Sequence, residues 1–200
     1  KSLGIVKGSN VALLSNNSPR WAMSDYGIIC SGAATVSVYP TLIASQVEYI
    51  LNDSNSVVVF AEGQEQMEKI LEIWKNCPKL THAIVMDDSN SEAADNIINL
   101  IDFLDLGTKY EKETGSSFED LAGKPEPDDL LTLIYTSGTT GNPKGVKLTH
   151  GNMMSNVEGT MKGISFSKNE KFLSFLPLSH SFERMGGHFS AFSVGAQVYY

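Results

Sequence analysis

Twelve consecutive residues, Tyr135-Thr136-Ser137-Gly138-Thr139-Thr140-Gly141-Asn142-Pro143-Lys144-Gly145-Val146, place three glycines, four hydroxyls and a lysine in one short run. Gly138, Gly141 and Gly145 let the backbone take positive φ and turn its N–H groups toward a common point. Thr136, Ser137, Thr139 and Thr140 add hydroxyl donors around that point, and Lys144 adds a positive charge. The chemistry is that of polyphosphate binding. A charge-assisted hydrogen bond contributes roughly 1.5–3 kcal/mol, so several of them hold β- and γ-phosphates without a deep pocket.

Spacing decides which kind of phosphate loop this is. The Walker pattern needs a Gly, four residues and then Gly-Lys-Ser/Thr, followed by a helix whose N-terminus faces the phosphates. Counting from Gly138 puts Pro143 where the second Gly belongs, and counting from Gly141 puts Val146 there. Val146-Lys147-Leu148-Thr149 then alternates apolar and polar residues as a strand does. The loop is therefore expected to join two strands, and a P-loop NTPase is disfavoured.

The elements that must position this loop are legible from periodicity. Val11-Ala12-Leu13-Leu14 reads as a buried strand, Ser18 as an N-cap and Pro19 as a first helical residue. Ala22, Tyr26, Ile29 and Ala33 repeat at helical spacing with Gly32 near the end, and Ala34 to Tyr39 is a second strand. Ser45-Gln46-Val47-Glu48 reads as a capping box before a short helix to Asn52, and Val57-Val58-Val59-Phe60 as an apolar strand. Met67, Ile70, Leu71 and Trp74 form a helical stripe stopped by Cys77-Pro78, and Ala83-Ile84-Val85-Met86 is a further strand. Strands alternating with helices imply parallel βαβ units, a sheet covered on both faces.

Residues 87–129 hold 13 acids against Lys109, Lys112 and Lys124, a net of -10, which leaves +2 for the rest of a chain of net charge -8. This stretch, with Ile97, Ile98, Ile101, Leu104 and Leu106, is expected to form solvated helices outside the sheet. Leu130 to Tyr135 is the strand that delivers the loop, and Gly151 to Phe166 is a helix behind it. Lys171 to Leu176 predicts another strand, and the chain ends within a strand-like Val198-Tyr199-Tyr200. No basic track for nucleic acid is present, and the most apolar stretch, Tyr26 to Val38, is broken by glycine and hydroxyl residues. Cys30 and Cys77 are far apart with no metal-type or disulfide-type spacing.

A second segment, Leu176-Pro177-Leu178-Ser179-His180-Ser181-Phe182-Glu183-Arg184, is expected to put His180 at a strand's C-terminal end, where open α/β sheets place ligands. Ser179 and Ser181 lack the Gly-x-Ser-x-Gly of a hydrolase elbow, and the spacing of His180, Glu183 and His188 matches none of the helical zinc patterns.

The twelve-residue run and its continuation Lys147-Leu148-Thr149-His150-Gly151-Asn152 resemble the phosphate-binding signature of the AMP-forming adenylating enzymes. The second segment resembles the corresponding motif of the long-chain fatty acid–CoA ligase branch. Asn17-Ser18-Pro19-Arg20-Trp21, Tyr39-Pro40-Thr41 and Tyr49-Ile50-Leu51-Asn52-Asp53 are similar to other segments of that branch. The resemblance covers nearly all 200 residues, least so 87–129.

It implies an α/β fold, the N-terminal part of the large domain of an acyl-adenylate-forming enzyme, mainly parallel sheet flanked by helices, with a hairpin-borne phosphate loop. Residues 1–129 would be a first α/β part and 130–200 the phosphate-loop part of an incomplete AMP-binding domain. The implied activity is ATP-dependent conversion of a long-chain fatty acid to acyl-AMP and transfer to coenzyme A. Another acid–CoA ligase and a non-catalytic nucleotide-binding module are the alternatives. Thr136, Lys144 and His180 are the implied catalytic residues. Thr136, Ser137, Gly138, Thr139, Thr140, Gly141 and Lys144 would hold ATP, Thr136 would help hold Mg2+, and His180 and Phe182 would border the acyl substrate. The charge distribution argues against a nucleic-acid partner, and the expected location is cytoplasmic. Peripheral contact at the inner membrane face would require regions outside this chain. The family's adenine-binding, magnesium-glutamate and C-terminal lysine segments would follow Tyr200, so the 200 residues alone are expected not to turn over substrate.

Overall fold

The computed structural model describes residues 1–87, 96–136 and 141–200. Five parallel strands form its centre: β1 (Asn10–Leu14), β2 (Ala34–Val38), β3 (Val58–Ala61), β4 (His82–Val85) and β6 (Leu130–Thr136). β5 (Ile97–Asn99) adds a parallel edge beside β4, and β7 (Lys144–Thr149) an antiparallel edge beside β6, in the order β5-β4-β3-β1-β2-β6-β7. β1 runs to its neighbour β2 through α1 (Pro19–Cys30). The chain then crosses back over β1 through α2 (Ala44–Asp53) to β3, and α3 (Gly63–Ile73) leads on to β4. Reversing direction this way puts α1 on one face and α2 and α3 on the other.

Strand periodicity sorts the core accordingly. Ala12, Leu14, Val36, Val38, Val59 and Ala61 pack with Val47, Ile50, Met67 and Ile70 on the α2/α3 face. Val11, Leu13, Val58, Phe60 and Ile84 pack with Trp21 and Ile28 on the α1 face. β2 breaks the apolar pattern: Thr35 and Ser37 are buried polar residues between apolar neighbours.

Ser18 caps α1 by accepting from the Trp21 N–H at 3.1 Å, and Pro19 opens the helix, as its spacing requires. Three expectations about the first half of the chain are corrected. Ser45 lies inside α2, where Gln46 Oε1 accepts from the Ile43 N–H instead. The α3 stripe is Met67, Ile70 and Ile73, with Leu71 turned to solvent and Trp74 in the 3-10 turn that ends the helix. Ile97 and Ile98 are strand residues, because the open edge of β4 supplies hydrogen-bond partners that a solvated helix would not need. Within the described part of the acidic stretch, α4 (Leu100–Thr114) and α5 (Phe118–Leu121) are helices as expected.

Beyond the hairpin lie α6 (His150–Gly163), capped by Thr149, and β8 (Lys171–Leu173). β8 stops short of Leu176 and pairs in parallel with β9 (Gln197–Tyr199) as a separate two-stranded sheet. Between them, α7 (Ser181–Glu183) runs into a π-helix, Arg184–Ser190. No helix among the described residues is long and apolar enough to cross a membrane.

The connector after α5 crosses the end of α1 at close range. The Gly123 N–H donates to the Cys30 carbonyl at 2.6 Å, and a Cβ on Gly123 would lie 2.6 Å from Gly32 Cα. Backbone cannot swing aside as a side-chain tip does. Gly123→Ala is expected to destabilise the complete protein by about 1–3 kcal/mol, read as a lowered urea midpoint; an unchanged midpoint would show that the connector shifts freely.

Candidate active site

Parallel strands leave their C-terminal ends, and the loops that follow them, on one edge of the sheet. The loop after β6 starts from Thr136, and the chain returns at Lys144, directly opposite it in the antiparallel register. The loop therefore joins two strands, as expected. Both residues are exposed, so the hydroxyl and the ammonium stand at the mouth of the hairpin. Gly141 has φ +141°, a backbone conformation that disfavours a side chain. Ser137, Gly138, Thr139 and Thr140 lie outside the described residues.

The base of the hairpin is held by Tyr135. Its ring packs across Gly145 of the return strand, and its hydroxyl donates to Asp53 Oδ2 at 2.6 Å, tying β6 to the end of α2. Burial, reinforced by the Asp53 carboxylate, raises the phenol well above its ordinary value, so it stays a donor at any physiological pH.

His180 hangs from the same edge, from loop and helix cap instead of a strand end. It is the N-cap of α7, accepting from the Phe182 N–H at Nδ1 (3.2 Å), seven residues beyond Leu173 at the end of β8. Ser179 Oγ donates to the carbonyl of Val38, the last residue of β2, at 3.3 Å. Since β2 lies next to β6, this bond tethers the His180 segment to the strand beside the one that carries the hairpin. His180 and Phe182 are exposed, presenting an imidazole and an aromatic ring beside a polar hairpin.

The segment is anchored by residues that sequence reasoning did not single out as functional. Upstream, Asn17 Nδ2 donates to the Leu176 carbonyl (2.6 Å), the Ser174 carbonyl (3.2 Å) and Ser174 Oγ (3.1 Å), while its Oδ1 accepts from the Leu178 N–H (2.8 Å). Downstream, the fully buried Arg184 bonds to the fully buried Asp25 of α1 and to Thr132 of β6, and Thr35 Oγ1 donates to Asp25 Oδ1 at 2.6 Å. His188 Nε2 lies 3.2 Å from Asp25 Oδ2, with its ring 4.8 Å from that of Tyr26. Burial by itself would raise the Asp25 carboxyl, but Arg184, His188 and Thr35 hold it below the usual carboxylate range. Burial draws the Arg184 guanidinium down, against the opposing pull of Asp25. His188 Nε2 faces Asp25 inside this buried cluster, and among the described residues no group of three or more His, Cys, Asp or Glu could hold a metal ion. The available signal was Thr35, Ser37 and Thr132 in strands that burial on both faces should make apolar.

His150 opens α6 after the Thr149 cap and lines an apolar hollow with Tyr26, Met153 and Phe189, where burial lowers its pKa.

The chain matches the family described as AMP-binding enzyme over residues 1–200. It is 32% identical over 200 residues to the long-chain-fatty-acid–CoA ligase ACSBG1 of Homo sapiens, covering 98% of this chain and 27% of that protein. It is 36% identical over 193 residues to fatty acyl-CoA synthetase A of Dictyostelium discoideum, covering 91% and 27% of the respective chains. Among solved structures, the anthranilate–CoA ligase AuaEII in complex with anthranoyl-AMP superimposes with a TM-score of 0.85 at 26% identity, over 99% of this chain and 36% of that one. The chain therefore spans about a quarter to a third of the length of these relatives, and by sequence it belongs to the AMP-binding enzyme family.

Proposed function

We propose that the complete protein activates a fatty acid with ATP and transfers it to coenzyme A. The carrying observation is that the Thr136–Lys144 hairpin leaves β6 while the His180 segment is tied through Ser179 to the end of the neighbouring strand β2. In this reading a carboxylate oxygen bonds to the α-phosphorus, the α–β bridging bond breaks and pyrophosphate leaves. The thiol sulfur of coenzyme A then bonds to the acyl carbonyl carbon, and AMP departs. The hairpin orients the phosphates and balances charge developing on pyrophosphate, while the His180 segment seats the acid.

Thr136, Ser137, Gly138, Thr139, Thr140, Gly141 and Lys144 are the proposed ATP ligands, and His180 and Phe182 border the acyl group. The relatives named as long-chain-fatty-acid–CoA ligases support the substrate class, and the neighbour holding anthranoyl-AMP supports an adenylate intermediate. Magnesium fits as an ion carried mainly by phosphate and water. The exposed Thr136 hydroxyl supplies an oxygen at the hairpin mouth, and a bound ion would neutralise phosphate charge there.

The test is acid-dependent exchange of pyrophosphate into ATP by the complete protein, over a panel of long-chain, short-chain and aryl acids. The expected result is exchange and CoA thioester formation with long-chain acids. Preference for an aryl or short acid would reassign the substrate, and absence of exchange with every acid would leave only a nucleotide-binding module. Residues 1–200 alone are expected to give no exchange, and full activity from them would overturn the division of labour proposed here.

A further inference from the structure

We propose that α1 is the positioning element of the acyl-binding segment, with Asn17 and Asp25 acting as its two clamps. This rests on the fatty acid–CoA ligase reading above. The residues from Ser174 to Arg184 contain the exposed His180 and Phe182, yet the ends of the segment are tied to α1 and to the residue just before its N-cap. Asn17, immediately before the Ser18 cap, uses both its amide nitrogen and its oxygen on Ser174, Leu176 and Leu178. Asp25, two turns along, holds Arg184, whose own N–H donates to the His180 carbonyl at 3.0 Å.

Between these points the chain has little freedom. Ser179 is fixed on both sides, its hydroxyl to the Val38 carbonyl and its carbonyl to Ser37 Oγ at 3.4 Å. The π-helix starting at Arg184 sets where the chain leaves the site, and such wide turns recur at functional positions. Asn17 also ends the loop after β1, whose other asparagine, Asn16, is held by Glu62 Oε2 through its N–H (2.8 Å) and side-chain amide (3.0 Å). The placement of His180 therefore depends on Asn17, whose bonding partners lie 157 to 161 positions later in the chain, and on Ser37 and Val38, as well as on its own neighbours Phe182 and Arg184.

The consequence is selective. A substrate-facing side chain misplaced by about an ångström loses binding or rate for the group it touches by as much as a hundredfold. Among the described residues, Asn17 makes its bonds to Ser174, Leu176 and Leu178 and none to the hairpin that would hold ATP. In the complete protein, Asn17→Ala is expected to raise the KM for fatty acid by roughly tenfold or more while the KM for ATP stays within about twofold. Asn17→Asp keeps the side chain's size and its acceptor for the Leu178 N–H, but points an oxygen at the Ser174 and Leu176 carbonyl oxygens, with only the Ser174 hydroxyl able to donate to it; it is expected to act in the same direction with the fold intact by circular dichroism.

The decisive measurement is a double-mutant cycle with His180→Ala. If Asn17 works through His180, adding Asn17→Ala to His180→Ala costs no further acyl KM. Additive losses, or equal rises in both KM values, would reduce Asn17 to a structural residue and overturn the proposal. Wild-type protein that activates no fatty acid would sink the ligase reading itself. Active wild type with unaltered Asn17 variants would sink only this inference.

Discussion

Lys144→Ala in the complete protein is expected to slow acid-dependent pyrophosphate exchange on the order of a hundredfold, with the melting temperature unchanged. The size follows from one charge-assisted contact to phosphate, roughly 1.5–3 kcal/mol, in a step whose transition state gathers charge on the departing pyrophosphate. The unchanged stability follows from exposure: surface substitutions away from packed features stay within about ±0.5 kcal/mol. Lys144 differs from a lysine on a free loop because β7 pairing fixes its Cα opposite Thr136, so only the flexible side chain must find the phosphate. Lys144→Arg retains the charge on a planar fork and is expected to recover part of the rate. Exchange at wild-type speed in Lys144→Ala would remove the lysine from the phosphate site. A raised KM for ATP with unchanged kcat would mean that it binds ground and transition states equally.

The parts of the fold written in local pattern were legible in the sequence. The apolar runs Val11–Leu14 and Leu130–Tyr135, the Ser18-Pro19 helix start and the alternating Val146–Thr149 all correspond to observed elements. The hairpin was legible because a Walker helix and a return strand differ in period immediately after the loop. What local pattern could not show depends on partners distant in sequence. Ile97 and Ile98 are compatible with helix or strand, and only the unpaired edge of β4 decides between them. Leu71 fits a helical stripe on spacing alone, but α3 lies on the sheet with Met67, Ile70 and Ile73 inward. The clamps on the His180 segment join α1 to residues some 160 positions later, and no periodicity encodes such a pairing. A faint trace existed in Ala34-Thr35-Val36-Ser37-Val38, where every second residue of a fully buried strand is a hydroxyl. Hydroxyls on the face of a central strand imply a polar guest on that face, and here the guest is Asp25 with Arg184.

That guest makes the second large effect a matter of stability. Asp25→Asn leaves the Arg184 guanidinium buried without its counter-charge, and breaking one side of such a pair costs about 3–5 kcal/mol. Arg184→Met strands Asp25 in the same way and is expected to cost a similar amount. Replacing both, Asp25→Leu with Arg184→Met, removes both desolvated charges and is expected to regain most of the loss. Recovery stays incomplete because Thr35 Oγ1 then lacks its acceptor, whereas Thr132 Oγ1 keeps its 2.6 Å bond to the Thr35 carbonyl. The pH dependence has a definite sign. The carboxyl of Asp25 is lower in the folded than in the unfolded chain, so its contribution is fully present above the unfolded value of about 3.9 and is lost as pH falls through the folded value. Urea unfolding of wild type and Asp25→Asn across pH 3 to 7 should therefore show a gap that narrows as pH falls below roughly 4. Other carboxylates titrate equally in both proteins and cancel from the difference. A gap that ignores pH, or a double variant no more stable than either single one, would mean that packing around Trp21, Phe189 and His188 holds the π-helix in place and the ion pair does not.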